Sequence, residues 1–327
     1  MEHFPPFVHG LGWEVDALTL TLSRGERELR ISLPNPSLIY EPKRGRGRNP
    51  HPQPPLPFPP GIGKWRGGSE ALVNSSPVKL CRFDLADSPG TARSGIVYGP
   101  KVYETDGANP VGIHEWSEAR LLSPVGQPNS LRFFPPLGGV NREAYDFRYL
   151  NPGILLGPNG SLPKNTSELA VMPCLGVVIA GAGMAVPVAD ADETVLGLTL
   201  LNVFYQPRDG DFDGLPAWAL DAGAAIGPAI TTPDELDGKV LDETEGRRYD
   251  LELVLSHNGV EIQRSNLKDL SATPAQILSF ASLTCALKPG DLFAISLLEA
   301  PMPIRLKEGD HLRLVSEALG ALVTTIS

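Results

Sequence analysis

The sequence LGVVIAGAGMAVPV, residues 175–188, and the sequence VLGLTLLNVF, residues 195–204, are two long apolar runs separated by the acidic stretch DADE at 190–193. Both runs are rich in Val, Ile, Leu and Gly, and both are too short to span a bilayer as a helix. Unbroken apolar runs of this length are typical of strands that are buried on both faces of a sheet. We therefore expect two central strands joined through an acidic turn.

The composition favours a globular protein that is rich in strands. The chain has 327 residues, which is enough to bury one large core or two smaller ones. Its hydrophobic fraction of 42% and its charged fraction of 20% are ordinary for globular domains. The 34 glycines and 33 prolines favour turns over long helices, and residues 273–284 form one of the few helical windows. We therefore expect a mainly β (α+β) fold.

The charge of the chain narrows its possible partners. A formal net charge of −10 argues against broad electrostatic binding to nucleic acid or to an anionic membrane. No apolar run has transmembrane length, and the first ten residues, MEHFPPFVHG, have neither the basic start nor the apolar core of a signal peptide. We expect a cytoplasmic protein with no nucleic-acid partner and no membrane partner.

Cysteines and histidines give no metal or acid–base signature. Cys81, Cys174 and Cys285 are far apart and odd in number, so they predict neither a disulfide framework nor a close metal-binding pair. His114 is predicted to lie in an inter-domain linker and His257 just before a hairpin turn. Both are interpreted as surface residues rather than as an acid–base pair.

The pattern of strands and turns divides the chain into three parts. Residues 1–77 form an amino-terminal prelude in which ALTLTL (17–22) and ELRISL (28–33) alternate like the two strands of a hairpin. Residues 78–124 are predicted to form a small β domain. Residues 125–327 are predicted to form the main, carboxyl-terminal domain.

The prelude also contains a basic cluster at 43–48 followed by a proline-rich run at 50–60. The proline run is expected to be extended or polyproline-like. The basic cluster is a solvated loop, a contact for a partner or an anion, or an RNA contact, and the sequence leaves these alternatives open. For the proline run, packing across its own domain or a twin subunit is favoured over docking into an aromatic groove of a partner.

Short motifs follow one another in a characteristic order through the rest of the chain. They are RLLSP (120–124), SLR (130–132), NPGILLGP (151–158), GLTLLN (197–202), IGPAITTPDEL (226–236), HNG (257–259), KPGD (288–291) and EGD (308–310). Over residues 78–327 this order resembles the fumarylacetoacetate hydrolase family, especially its bacterial branch with a small amino-terminal β domain. The resemblance implies a fumarylacetoacetate-hydrolase-like β-roll that is usually a homodimer.

The resemblance also implies a chemistry. Active members of the family hold Mg²⁺ or Ca²⁺ with four carboxylates, because hard cations prefer oxygen ligands. The cation chelates a β-dicarbonyl-type substrate, and a His–Glu pair activates water for cleavage of a carbon–carbon bond.

In this chain the resemblance places uncharged residues at those functional positions. Phe133 stands where the family has its first metal-binding Asp, and Met172 and Cys174 stand at a Glu-x-Glu pair. Val203 stands at the Asp of an Asn-Asp motif, and the catalytic His falls near Val140. We therefore expect no metal site of this type and no cofactor.

The same positions and their neighbours define a predicted pocket that is more apolar than that of the family. Its predicted lining residues are Phe133, Val140, Met172, Cys174, Val203, Ser296, Leu297 and Glu299. Its predicted catalytic residues, which could hold an enolate or a carboxylate by charge-assisted hydrogen bonds, are Arg148, Tyr149, Tyr205 and Arg208. Two interpretations stay open. The site has filled with core residues because unpaired buried carboxylates are costly, or it has been reshaped for an apolar ligand or a metal-free reaction.

Two functions correspond to these interpretations. The first is a metal-independent enzyme of specialised metabolism that acts on an enolisable dicarbonyl or polyketide-like substrate by lyase, cyclase, isomerase or hydrolase chemistry. The second is a catalytically inactive homologue that serves as a dimeric scaffold or binding partner. The expected partners are a small apolar or dicarbonyl-type ligand and a second copy of the chain. An open cavity with Arg148 or Tyr149 pointing inward would favour the enzyme, and a solidly packed core would favour the scaffold.

Overall fold

The computed structural model describes residues 19–21, 30–32, 79–106, 109–135, 146–163, 169–207, 216–298 and 304–327. Strands β1 (Thr19–Thr21) and β2 (Arg30–Ser32) pair antiparallel, with Thr19 opposite Ser32. The two segments that the sequence predicts to form a hairpin therefore contain paired strands. The basic cluster at 43–48 and the proline run at 50–60 lie outside the described residues.

An antiparallel unit follows the prelude. It contains β3 (Lys79–Leu85), β4 (Ser88–Tyr98), β5 (Lys101–Thr105), β6 (Pro110–Glu115) and β7 (Ala119–Leu122). Strands β3 to β6 pair in chain order around the buried side chains of Phe83 and Val102, and β7 pairs with β3. His114 lies inside β6, opposite Val102, and its Nε2 is 2.8 Å from Glu104 Oε2. The prediction that placed His114 in a linker is wrong, because the cross-strand pairing continues through it.

The main part of the chain supplies the other strands. They are β8 (Leu131–Phe134), β9 (Arg148–Leu150), β10 (Leu155–Leu156), β11 (Ser161–Leu162), β12 (Ala170–Ile179), β13 (Val195–Tyr205), β14 (Gly223–Ile226), β15 (Ile230–Thr231), β16 (Val240–Asp242), β17 (Arg248–Tyr249), β18 (Glu252–His257), β19 (Val260–Asn266), β20 (Leu292–Ser296), β21 (His311–Ser316) and β22 (Gly320–Ile326). The strand content confirms the predicted mainly β fold.

Helices are few and short among the described residues. The α-helices are α1 (Val188–Ala191) and α2 (Pro274–Ser282), and 3₁₀ segments lie at Pro152–Ile154, Asp192–Thr194, Ala217–Leu220, Pro233–Lys239 and Leu267–Asp269. Helix α2 confirms the helical window, and it begins at a capping box in which Thr273 and Gln276 satisfy each other's backbone N–H groups. No helix in the described part of the chain is long and apolar enough to cross a membrane.

One large sheet organises the molecule. Its strands follow the order β6-β5-β4-β3-β15-β13-β12-β20-β8-β9, with β14 pairing with β13 and β10 pairing with β14. Strand β15 connects the unit of β3–β7 to the main part, with Ile230 opposite Leu80. A second sheet follows the order β11-β22-β21-β18-β19.

The two apolar runs lie at the centre of the large sheet. Strands β12 and β13 pair antiparallel, from Ala170 opposite Tyr205 to Ile179 opposite Val195, and β20 pairs with the other edge of β12. All ten residues of β12 are buried, because both faces of the strand are covered. The prediction of two central strands is confirmed.

The predicted end of the first run and the predicted acidic turn need correction. Strand β12 ends at Ile179, and the chain leaves the sheet before Pro187. Directly after Ile179 the backbone N–H groups of Ala180 and Gly181 both donate to the carbonyl oxygen of Thr194, so the regular ladder of β12 stops there. Helix α1 and the 3₁₀ turn at Asp192–Thr194 occupy the place of the acidic turn.

Each face of the large sheet contributes to a separate hydrophobic core. We call the first the main core; it joins one face of β12 and β13 to the second sheet and to α2, through residues such as Leu175, Val177, Leu200, Phe204, Phe293, Leu253, Leu314, Ile277 and Leu278. We call the other the second core; its members include Leu131, Phe133, Met172, Cys174, Leu201, Val203, Tyr205, Leu220, Ala224 and Ala294. The alternation of side chains along each strand assigns neighbouring residues to different cores.

Candidate functional site

The four residues that the resemblance places at metal positions lie together in the second core. Met172 on β12 is directly opposite Val203 on β13, and Cys174 follows two residues along β12 on the same face. Phe133 reaches the same cluster from β8. Each of the four side chains has an exposed fraction of 0%. The structure therefore brings these predicted residues together and packs them tightly.

The chemistry of this cluster does not fit a hard divalent cation. Mg²⁺ and Ca²⁺ take oxygen ligands, and none of the side chains of Phe133, Met172, Cys174 and Val203 contains oxygen. Burial raises the pKa of the Cys174 thiol well above its ordinary value, and the Sγ lies 3.4 Å from the carbonyl oxygen of Met172, to which it donates. Across the described residues, no three His, Cys, Asp or Glu side chains are grouped so that they could hold a metal.

Asn202 is the polar residue next to this cluster. It precedes Val203 on β13, so its side chain points to the opposite face, with Leu200 and Phe204 of the main core. Its exposed fraction is 0%, and neither its Oδ1 nor its Nδ2 has a hydrogen-bond partner among the described residues. A buried polar group without a partner destabilises a fold by about 1–3 kcal/mol. The unsatisfied carboxamide of Asn202 therefore lowers the stability of the main core.

Three further predicted residues divide between the two cores. Tyr205 is buried in the second core, and burial raises the pKa of its hydroxyl. Ser296 on β20 is opposite Cys174, and its Oγ accepts the backbone N–H of Leu298 at 3.2 Å. Leu297 belongs to the main core, so the structure separates it from Met172 and Val203. Val140, Arg208 and Glu299 lie outside the described residues.

Arg148 and Tyr149 lie on β9, the last strand of the large sheet in the described part of the chain. Arg148 is opposite Phe133 and is half-buried. Tyr149 is opposite Arg132, and its exposed fraction is 57%. Tyr149 therefore lies on the other face from the second core, and the structure does not bring it to Met172 and Val203.

Sequence reasoning missed Arg132 as a residue of interest. This guanidinium is 2% exposed, and its Nη2 lies 3.5 Å from Asp291 Oδ2 and 3.6 Å from Cys285 Sγ. Its guanidinium carbon lies 5.5 Å from the ring centroid of Tyr149. The signal in the sequence was an Arg inside the apolar strand LRFF at 131–134, which a buried strand does not ordinarily contain.

The fold and the site define a β-roll protein. The face of its large sheet that carries Val203 is covered by the apolar side chains of the second core. A family model described as the carboxyl-terminal domain of fumarylacetoacetate (FAA) hydrolase matches residues 151–327, which is more than half of the chain. The chain therefore belongs to the fumarylacetoacetate hydrolase family, as the order of motifs predicted.

Curated relatives match the same part of the chain. Over 184 residues it is 29% identical to the fumarylacetoacetate hydrolase domain-containing protein 2 homolog of Dictyostelium discoideum, covering 53% of this chain and 60% of that protein. Over 182 residues it is 32% identical to the 2,4-didehydro-3-deoxy-L-rhamnonate hydrolase of Sphingomonas sp. (strain SKA58), covering 51% of this chain and 59% of that protein. The matches thus span less than two thirds of the length of either relative.

Solved structures share the fold. The 2-hydroxyhepta-2,4-diene-1,7-dioate isomerase of Mycobacterium marinum has a TM-score of 0.63 at 22% identity, covering 76% of this chain and 98% of that chain. The maleylpyruvate hydrolase of Sphingobium sp. SYK-6, in complex with a manganese(II) ion and pyruvate, has a TM-score of 0.60 at 21% identity, with the same coverage. At these identities the likeness establishes the fold and leaves the activity open.

Proposed function

We propose that this chain is a non-catalytic, metal-independent member of the fumarylacetoacetate hydrolase family that serves as a scaffold or binding partner. One observation supports this proposal: Phe133, Met172, Cys174 and Val203 all have an exposed fraction of 0% within one apolar cluster. A side chain with no accessible surface has no water-sized space beside it. Neither a hydrated cation nor a substrate can then contact this part of the β-roll.

The chemistry of the cluster supports the same proposal. The Sphingobium relative is in complex with a manganese(II) ion, and this metal prefers carboxylate, carbonyl and water ligands. The thioether of Met172 and the protonated thiol of Cys174 are soft groups and are poor ligands for such an ion. Val203 and Phe133 offer no donor atom at all.

A metal titration tests the proposal directly. The full chain is treated with EDTA, dialysed, and melted with and without excess MgCl₂ or MnCl₂, and its bound metal is measured by mass spectrometry. We expect no bound metal and an unchanged melting temperature, because a ligand raises this temperature only when it binds the native state. A saturable rise with Mn²⁺ would overturn the proposal.

The proposed scaffold has a second copy of the chain as its partner, as the resemblance to a usually homodimeric family implies. Its cytoplasmic location stays a prediction. Light scattering after gel filtration gives the mass of the particle in solution. A mass of twice 35.0 kDa supports the dimer, and a mass of one chain rejects it.

A second candidate is a metal-independent enzyme that acts on an enolisable dicarbonyl substrate. The observation that favours it is the polar group around Arg132, Tyr149 and Cys285 at the edge of the large sheet. Maleylpyruvate, the substrate in the name of the Sphingobium relative, is a suitable probe. Turnover in the presence of EDTA would favour this enzyme over the scaffold. Turnover that requires added metal would reject both candidates.

A further inference from the structure

The feature that carries a further inference is the guanidinium of Arg132, on the main-core face of the large sheet. Arg132 on β8 stands between Phe293 on β20 and Tyr149 on β9, which are its two cross-strand neighbours. Only 2% of the residue is exposed. Because a guanidinium stays charged in proteins, a full positive charge is buried at this point.

The hydrogen bonds of Arg132 are incomplete. Nη2 is the one nitrogen with partners, at 3.5 Å from Asp291 Oδ2 and 3.6 Å from Cys285 Sγ. Nε and Nη1 are buried and make no hydrogen bond to the residues that the structure describes. Asp291, in contrast, accepts the hydroxyl of Ser130 and the backbone N–H of Lys288, each at 2.9 Å. The carboxylate is well supplied with donors, whereas the cation is short of acceptors.

Aromatic rings surround the guanidinium. Its carbon lies 5.1 Å from the ring centroid of Phe293, 5.5 Å from that of Tyr149 and 6.0 Å from that of Phe147. Ring faces stabilise a cation electrostatically. They are poor substitutes for the oxygen acceptors that the N–H groups in the guanidinium plane require. The charge is therefore partly compensated while two donor nitrogens, with three N–H groups, remain unsatisfied.

Tyr149 is the most exposed of the groups that contact this cation. Its exposed fraction of 57% contrasts with the burial of Arg132 beneath it. Partial desolvation raises the pKa of the Tyr149 hydroxyl, and a hydrogen bond between this hydroxyl and Cys285 raises it further. Cys285 itself is half-buried. Tyr149 and Cys285 are therefore the parts of this group that solvent reaches.

We propose that Arg132, Tyr149 and Cys285 form a binding site for a small carboxylate. The carboxylate takes the unsatisfied N–H groups of Arg132 by charge-assisted hydrogen bonds, and its carbon chain lies against the Cys285 thiol beneath the Tyr149 ring. This site is on the opposite face of the sheet from the second core. The proposal is therefore independent of the proposed scaffold function.

Cys285 provides a chemical reporter for this site. Iodoacetate and iodoacetamide both alkylate thiols: the sulfur forms a bond to carbon, iodide leaves, and the thiol proton passes to solvent. They differ in that only iodoacetate carries a carboxylate. Cys81 and Cys174 are internal controls, because burial raises the pKa of the Cys81 thiol to about 12 and that of Cys174 well above its ordinary value.

The test compares the two reagents on the folded full chain, with the modified cysteine identified by peptide mass spectrometry. Rates are normalised to those of free cysteine under the same conditions. We expect the iodoacetate-to-iodoacetamide ratio at Cys285 to exceed that of free cysteine by about tenfold, as one hydrogen bond to a charged group provides. A ratio equal to that of free cysteine would overturn the proposal.

Two matched pairs of variants assign the effect. Arg132→Lys keeps the charge and is expected to keep part of the preference, whereas Arg132→Met is expected to abolish it. Tyr149→Phe keeps the covering ring and is expected to keep the preference, whereas Tyr149→Ala is expected to raise both rates by uncovering the site. If Arg132→Met retains the full preference in a folded protein, Arg132 is not the group that binds the carboxylate and the proposal is wrong.

A competition experiment on the unmodified chain decides the matter even if Arg132→Met does not fold. Acetate cannot alkylate, but it should occupy the site and slow the reaction of Cys285 with iodoacetamide in a saturable manner. Acetamide at the same concentration and ionic strength should have no effect. Equal effects of acetate and acetamide would show that no carboxylate is recognised.

Discussion

Val203 and Arg132 lie on opposite faces of the large sheet. Their surroundings differ in polarity and in how completely the buried polar atoms are hydrogen-bonded. Around Val203 the side chains of Met172, Cys174 and Phe133 are apolar or protonated, and all are fully buried. Around Arg132 a full charge is buried with two nitrogens lacking partners among the described residues. In the described part of the chain, the cluster around Val203 has no unsatisfied donor for a ligand to fill, whereas a ligand with acceptor oxygens would satisfy the free N–H groups of Arg132. The comparison separates a region that has closed from a region that can still bind.

The largest expected effect comes from introducing a carboxylate into the apolar cluster around Val203. In Val203→Asp the new carboxyl group is buried among apolar side chains, which raises its pKa by about 3–5 units. At about 1.4 kcal/mol per unit, and with about 3 units between the unfolded pKa of about 3.9 and pH 7, the free energy of unfolding at pH 7 should fall by about 4 kcal/mol. Urea denaturation measures the loss. The exposed strand position in Val260→Asp, with a 66% exposed side chain, is the control and should change stability by less than about 0.5 kcal/mol.

The pH dependence of Val203→Asp has a defined sign. Its folded pKa is raised above the unfolded value of about 3.9, so the pH-dependent part of the loss is absent below that pH and grows as the pH rises towards the folded pKa. Excess Mg²⁺ should not restore stability, since Met172 and Cys174 supply no oxygen. Restoration by Mg²⁺ would show that this region still accommodates a cation and would remove the contrast between the two faces.

The next largest effect is expected from removing the ion-pair partner of Arg132. Asp291→Asn removes the negative charge next to a guanidinium that is 2% exposed, and breaking a buried pair in this way costs about 3 kcal/mol or more. The matched control is Glu252→Gln, which removes an exposed partner of Arg264 and should cost about 0.5 kcal/mol. Thermal or urea unfolding compares them. A loss no greater in Asp291→Asn than in the control would mean that Arg132 is already neutralised by other groups.

The smallest effect concerns Asn202. Leucine has the same number and branching of side-chain heavy atoms and removes two buried polar atoms that lack partners among the described residues, so Asn202→Leu should stabilise the fold by about 1 kcal/mol. Thr199→Val is a control of opposite sign, because the Thr199 hydroxyl donates to the carbonyl of Ala229 at 2.7 Å. The free energy of unfolding of Thr199→Val should be lower by about 1 kcal/mol. Destabilisation by Asn202→Leu would indicate that the carboxamide has a partner after all.

Several elements were predictable because their signals are local. The two apolar runs predicted β12 and β13, and the alternating segments at 17–22 and 28–33 predicted a hairpin. The order of motifs predicted the family, which the family model confirms for residues 151–327. The predicted end of the first run was wrong because apolar composition continues past Ile179, whereas the sheet pairing does not.

The candidate site was predictable only in part. Met172, Cys174 and Val203 were named together from motif positions, and the register of β12 and β13 places Met172 opposite Val203. Leu297 was assigned to the same pocket, but the alternation along β20 and its continuation takes it to the main core. Arg132 was overlooked because its motif identified a family position and said nothing of the rings that surround it.

The sequence by itself determined that the chain is rich in strands and that its centre is a buried pair of apolar strands. These properties depend on residue type and on a period of two along a strand, both of which are local. The tertiary structure alone decided which of these residues meet and which face each side chain takes. It also decided that Arg132 lies between Phe293 and Tyr149, because pairing between strands distant in sequence sets those neighbours.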